Sequence, residues 1–438
     1  MTIKGLLVFI FLFSLLDIGK TETIELVALT NIVNGGAEAY GSLVKEFNSY
    51  AEEKNLGIHV TTNLLTYENS TLEVTDYENS IESMLKKKSE KYDIIFYDRI
   101  FNYKFGPYLV DLKEYLPESH FKWYEPGIAS ETCVYDKKWV GLPMNIDLLV
   151  LYYNEELLRN YNKSVPKTWD ELIETSKFIM EQEKTTNNSE IISYNPLLDD
   201  SEMGSCVLYE FIYTFREKVD SPYPGFDSKE ATEALETLKK IKNEIASDDI
   251  FKNAVKYAYN NFFNKDDNNF LFINHWYMDS IKYKYTFSPG KNEGVSGTLT
   301  GGYNVGINSF ISDEKKKASA KFVEYVTSKD TQKSLVMNDG IYSAIPELYE
   351  DKDVCNVFDC ETFKNIQLVN RPAQVQDYSS ISNGFRKTIF DYLYNGKEVS
   401  DTLEKVSEIM TSSYIKKSYY GLFIYFIIYF TFYIFFNL

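Results

Sequence analysis

Apolar residues fall in short, dense runs through the first hundred positions. Ile24–Leu29 reads IELVAL, a stretch from Gly57 reads GIHVTTNLL, and Tyr92–Asp98 reads YDIIFYD. Runs of this length, rich in β-branched and aromatic residues, predict strands. Between them the apolar spacing lengthens to a helical period. An amphipathic helix is predicted over about 37–53 and a second over DYENSIESMLKKK. Strand, helix, strand, helix, strand at this spacing predicts a parallel sheet covered by helices. Right-handed crossovers then set the strands' carboxyl ends along one edge, where ligands sit in such sheets.

The pattern changes near position 200. From about 201 to 265 the period is mostly helical, and SKEATEALETLKKIKNEI puts Ala231, Leu235, Leu238 and Ile245 on one face. FLFINHW (Phe270–Trp276) predicts another strand, and GGYNVGI (Gly301–Ile307) a strand entered through two glycines. Helices are predicted from about 313 to 415. Two α/β lobes sharing one chain fit this order.

The ends differ from the middle. MTIKGLLVFIFLFSLLDIG has one lysine, Lys4, and then an apolar run, the form of a secretory signal peptide over about 1–21. Tyr419–Leu438 carries no charge over about twenty residues, enough for one helix across ~30 Å of hydrocarbon. It reads either as a transmembrane helix or as the discarded tail of a lipid-anchor signal, with Ser412 and Ser413 as small acceptor residues. Both readings hold the bulk of the chain outside the cell, at the membrane.

Composition narrows the function. The 438 residues carry a formal net charge of −18, and no basic stripe is visible, which excludes a nucleic-acid partner. Four cysteines in a secreted chain admit two disulfides: Cys355 and Cys360 close a small loop, which leaves Cys133 for Cys206, with geometry to decide. Asn69, Asn162 and Asn187 open glycosylation sequons. The cysteine spacing fits no zinc pattern, no metal or cofactor is predicted, and no nucleophile elbow, phosphate loop or HExxH occurs. The three histidines, His59, His120 and His275, lie far apart. The chain does not read as an enzyme.

One stretch carries more. WVGLPMNIDLLVLYYNEELL followed by PKTWDELIETSKFI, within Trp139–Ile179, resembles the extracellular solute-binding proteins of the maltose-binding type, the type II periplasmic-binding-protein fold. In it Pro166 stops the preceding chain, and Thr168 with Glu171 forms a capping box. YDIIFYDRIFNYKFGPYLVDLKEYL, FFNKDDNNFLFINHWYMDSI, GGYNVGINSFISDEKKKASAKFVEYVTSKDTQKSLV and RPAQVQDYSSISNGFRKTIFDYLYNGKEVSDTLEKVSEIM resemble the same family in the same order.

The resemblance implies two lobes closing over a ligand by a hinge, with crossings near 143–146, 302–305 and 349–367. It implies a first lobe of about 22–143 with 303–350, and a second of about 147–301 with 366–411. It places ligand-binding positions at Thr30 and Asn31, at Tyr97, Asp98 and Arg99, at Asp147, at Trp276 and Tyr277, at Tyr303, and at Arg371 and Tyr378. Tyr152 and Tyr153 are assigned to structure. Met278 and Asp279 stand where the family has a second tryptophan, a departure from malto-oligosaccharide binders. The implied ligand is a sugar or oligosaccharide, and an amino-acid-type solute is the alternative. The implied setting is a membrane-held ectodomain for sensing or capture, similar to those ahead of fungal class C, metabotropic GABA-type receptors and working with a signalling partner. A secreted or wall-anchored polysaccharide-capture protein is the other reading.

Overall fold

The computed structural model describes residues 23–31, 37–66, 74–185, 191–263, 269–278, 283–372, 374–375 and 377–411. The predicted signal peptide, the apolar stretch 419–438, Asn69 and Asn187 lie outside them. Asn162 is exposed, at φ +52°. Among the described residues no helix is long and apolar enough to cross a membrane.

The strands gather into two large sheets. The first holds β1 (Ile24–Asn31), β2 (Ile58–Leu65) and β3 (Ile94–Asp98), with β1 parallel to both neighbours. A hairpin of β4 (Val134–Tyr135) and β5 (Lys138–Trp139) leads to β6 (Leu142–Pro143). The second sheet holds β7 (Asp147–Tyr153), β8 (Ile192–Asn195), β9 (Phe270–Trp276), β10 (Lys284–Thr286), β11 (Ser288–Pro289) and β12 (Ser296–Gly301). β13 (Tyr303–Ile307) returns to the first sheet, in the order β2-β1-β3-β13-β6, and β14 (Leu368–Val369) returns to the second, beside β12. Each sheet has its own core. Phe47, Phe96 and Phe322 belong to one, and Trp169, Phe211 and Phe272 to the other.

The helices form where apolar spacing and caps agree. Ala37–Glu53 buries Tyr40, Leu43, Val44, Phe47 and Ala51, one face at helical spacing, against the first sheet. Full burial of a side chain such as Phe47 is worth ~2 kcal/mol. Lys229–Glu244 buries Ala231, Ala234, Leu235, Leu238 and Ile241, and Ser228 caps it by accepting the Ala231 amide at 3.1 Å. At Trp169–Thr185 the Thr168 hydroxyl accepts the Glu171 N–H at 3.2 Å. The Glu171 carboxylate reaches back to the amide of Lys167, one residue earlier than a capping box requires.

The chain passes between the sheets at adjacent points. Met144–Ile146 joins β6 to β7, and Gly302 joins β12 to β13. The Met144 N–H donates to Tyr303 O at 2.8 Å, so the two crossings lie side by side. Gly302 has φ +121°, and a Cβ there would stand 2.3 Å from Asn145 O, so contact between the crossings demands glycine.

Cysteine pairing corrects one expectation. Cys355 and Cys360 are disulfide-bonded, but Cys133 and Cys206 are free and buried. Cys133 sits in the first core, where its thiol donates to Asn304 Oδ1 at 3.3 Å, and Cys206 in the second. A bond between them would have to cross from one core to the other.

Candidate functional site

Polar side chains converge where the edges of the two sheets meet. Asp98 ends β3, and its carboxylate accepts the Ile100 N–H at 3.0 Å, capping the 3-10 turn Arg99–Phe101. That turn starts because Arg99 N–H donates to Gly302 O at 3.2 Å and leaves the sheet at the crossing. From the second lobe, Arg371, just past β14, sends Nη2 to both oxygens of Asp98, at 3.0 and 3.1 Å. Its Nη1 donates to Glu202 Oε1 at 2.9 Å.

Glu202 is the first residue of helix Glu202–Tyr213, capped by Ser201, a position that favours a carboxylate through the helix dipole. It also accepts the Tyr378 hydroxyl, and the Ser382 hydroxyl at 2.6 Å. Tyr378 opens helix Tyr378–Tyr394, which begins against the first core and ends in the second, where Phe385 and Ile389 are buried. Asp98, Glu202, Arg371, Tyr378 and Ser382 are thus one hydrogen-bonded group spanning both lobes.

Two further groups flank it. Arg99 Nη2 donates to Asn370 Oδ1 at 3.1 Å, and the Asn370 amide donates to Glu131 at 3.0 Å. Asp147, first in β7, accepts the Asn145 amide at 2.7 Å, while Asn145 Oδ1 takes the Tyr40 hydroxyl and the Tyr303 N–H at 2.9 and 3.0 Å. Trp276, last in β9, is half-buried, with its ring against Gly301 and its indole N–H 2.7 Å from Met203 Sδ.

The electrostatics follow from burial with paired charges. Burial pushes the Asp147 carboxyl up to about 6, although Arg99 pulls the other way. Burial, with Arg371 alongside, brings the Arg99 guanidinium down to about 10. Burial alone would lower Arg371 too, but Asp98 above all holds it well above its ordinary value. Arg371 therefore stays charged and locked between two carboxylates.

The other anticipated positions lie apart from this group. Tyr97 is wholly buried in the first core, its hydroxyl donating to Asn102 at 2.8 Å and its ring against Phe105. Tyr277 packs on Tyr285 and Tyr342 beside the crossings. Thr30, Asn31 and Tyr303 are buried under the sheet edge, with Asn31 facing the Tyr303 hydroxyl. Thr30 Oγ1 is buried without a hydrogen-bond partner among the described residues. Two surface cavities, of about 140 and 660 Å³, are lined by other residues. Among the described residues no cluster of three or more His, Cys, Asp or Glu side chains is arranged to hold a metal ion.

Residues 43–356 match the family of bacterial extracellular solute-binding proteins. The chain belongs to that family. It is 24% identical over 341 residues to a probable ABC transporter-binding protein of Deinococcus radiodurans, covering 71% of this chain and 77% of that one. In fold it is similar to maltose-bound MalE3 of T. maritima, with TM-score 0.70 and 20% identity over 88% of this chain and 99% of that one. The cyclic α-maltosyl-1,6-maltose binding protein of Arthrobacter globiformis has TM-score 0.69 and 16% identity, over 89% and 99%. The two-lobed α/β architecture is therefore that of extracellular solute-binding proteins, a family of binding proteins rather than enzymes. The family lends no support to the class C receptor-like alternative.

Sequence reasoning missed Glu202, Asn370 and Asn145 in this solute-binding protein. Glu202 had a local signal, since Ser201 before an acidic first turn marks a helix start. Nothing in the sequence tied it to Arg371, 169 positions away.

Proposed function

We propose that this chain captures a sugar or oligosaccharide outside the cell by closing its two lobes over it, as the solute-binding partner of an ABC-type transporter. The meeting of Asp98 and Arg99 from one lobe with Arg371 and Asp147 from the other carries the reading, with Glu202 behind Arg371 and Trp276 beside Asp147 at Gly301. Carboxylates and guanidinium groups bond vicinal hydroxyls in pairs, and an indole face covers the apolar side of a sugar ring. In the membrane-held form of this reading, residues 419–438 keep the protein at the cell surface. A second reading, a solute bearing a carboxylate, is favoured by Arg99, whose guanidinium bonds the neutral Asn370 amide.

Thermal unfolding against maltose, longer malto-oligosaccharides, polyols and amino acids tests both readings. A ligand that binds only the folded protein adds ~2.7 kcal/mol at a hundred times its dissociation constant. A dose-dependent rise with sugars, lost in Trp276→Ala and Asp98→Ala, supports the first reading. A rise only with amino acids supports the second, and no rise with any solute overturns both.

A further inference from the structure

The third passage between the lobes contains the disulfide. Helix Lys352–Val357 carries Cys355, Cys360 opens helix Cys360–Lys364, and their bond encloses Phe358. The Phe358 ring lies 4.7 Å from Tyr342 and 5.6 Å from Tyr349. Phe363 stacks on Tyr349 at 3.6 Å and on Tyr342 at 5.5 Å. Tyr342 in turn meets Tyr277 edge-on at 4.8 Å, and its hydroxyl is 3.4 Å from that of Tyr285. Tyr277 and Tyr285 come from the second sheet's side, from the end of β9 and from β10. The Tyr342 carbonyl accepts the N–H of Ile146, in the first crossing, at 2.9 Å. One line of aromatic contacts thus runs from the disulfide to the backbone on which the lobes turn.

We propose that the Cys355–Cys360 disulfide is a redox-sensitive brace on the hinge. Oxidised, it holds Phe358 and Phe363 against Tyr342 and Tyr349, and Tyr342 against the crossing. A small dithiol reduces it by two electrons. A thiolate of the dithiol attacks the sulfur of Cys355, the more exposed residue of the pair, the S–S bond breaks to release the Cys360 thiolate, and the second thiol of the reductant displaces Cys355. Two cysteine thiols result, and the reductant leaves as a cyclic disulfide. With the small loop released, Phe358 loses its fixed place and the Ile146–Tyr342 hydrogen bond opens more often. The event is confined to this loop, because Cys133 and Cys206 are already thiols and offer no S–S bond to reduce, and both are buried, which keeps them from joining the exchange.

The test needs no ligand, so its outcome is separate from that of the solute-binding reading. The full chain is treated with dithiothreitol at pH 8, alkylated, and examined by mass spectrometry and amide hydrogen exchange. The expected result is alkylation of Cys355 and Cys360, with a tenfold or greater rise in exchange at Met144 and Ile146 and none in β1. Phe358→Ala, with the disulfide intact, should raise exchange at the same two amides. Unchanged exchange at Met144 and Ile146 once both cysteines are alkylated would overturn the proposal. So would a uniform rise across the first lobe, which marks an ordinary stabilising cross-link.

Discussion

Arg371 Nη2 lies 3.0 and 3.1 Å from the two carboxylate oxygens of Asp98, in a contact that joins the end of β3 to the chain leaving β14. The side chains are 4% and 13% exposed, so the pair is screened by little water. Glu202 holds the same guanidinium from the second lobe. The consequence is asymmetric: removing the cation leaves two facing carboxylates, whereas neutralising Asp98 leaves Arg371 with one partner.

Arg371→Met should therefore cost more than Asp98→Asn. Breaking a buried pair costs ~3–5 kcal/mol, and the residual exposure of Asp98 and its replacement by an amide bring its own loss to about 2 kcal/mol. Urea unfolding of both variants checks the order. Equal losses, or losses below about 0.5 kcal/mol, would remove the contact from any account of how the lobes are held.

A second expectation concerns pH. Burial holds the carboxyl of Glu210 at about 8, above its ordinary 4.5, even though it accepts the Ser288 hydroxyl at 2.6 Å and the Leu299 N–H at 2.7 Å. The folded protein binds this proton more tightly than the unfolded chain. The stability it contributes is full below the ordinary value and is lost as pH rises through 8. Each tenfold change in proton affinity is worth ~1.4 kcal/mol, so the loss reaches several kcal/mol. Glu78, at about 7, and Asp147, at about 6, act in the same direction. His120, lowered by burial to about 4, acts oppositely, losing stability as pH falls from 6.5 through 4. Glu210→Gln should match the wild type at pH 5 and exceed it at pH 8.5 in chemical denaturation. A variant gap that does not widen with pH would sink the argument.

Strands that are long apolar runs were legible: β1, β2, β3, β9 and β13 coincide with IELVAL, GIHVTTNLL, YDIIFYD, FLFINHW and GGYNVGI. Strands of two or three residues, such as β6, β10 and β14, have too few positions to show a period. Tyr97 shows the limit of reasoning by position. β3 is central in its sheet and buried on both faces, so the tyrosine before Asp98 turns into the core although the next side chain reaches the sheet edge. Ion-pair partners such as Glu202 and Arg371 are set by tertiary packing, and local pattern does not reach them. Of the two expected disulfides, Cys355–Cys360 is present and Cys133–Cys206 is not, because chain order does not say which core encloses Cys133 or Cys206.

Those two cysteines give a third prediction. Four cysteines less the two in the disulfide leave two thiols, both buried. Native protein at pH 8 without reductant should take up no iodoacetamide over an hour. The denatured chain should take up two equivalents. Rapid native labelling of either would show that its core opens, and denatured protein with no thiol would mean that the pair is bonded after all.

The narrowest point of the hinge gives the last. At Gly302 the backbone is held at φ +121° while Asn145 O presses in from the neighbouring crossing, 2.3 Å from where a Cβ would stand. An alanine there meets two penalties: a left-handed conformation that a side chain disfavours, and a clash with backbone that has no rotamer to yield. The Asn145 side chain fixes the same place by accepting the Tyr303 N–H at 3.0 Å, so relief by moving Asn145 would break that bond. Gly302→Ala should cost ~3 kcal/mol and lower the melting temperature. Gly396→Ala is the control for backbone strain alone, since Gly396 has φ +69° but nothing within 4 Å of its Cβ position. It should cost only ~1 kcal/mol. If the two variants melt together, the close approach of the crossings contributes nothing to holding the lobes in register.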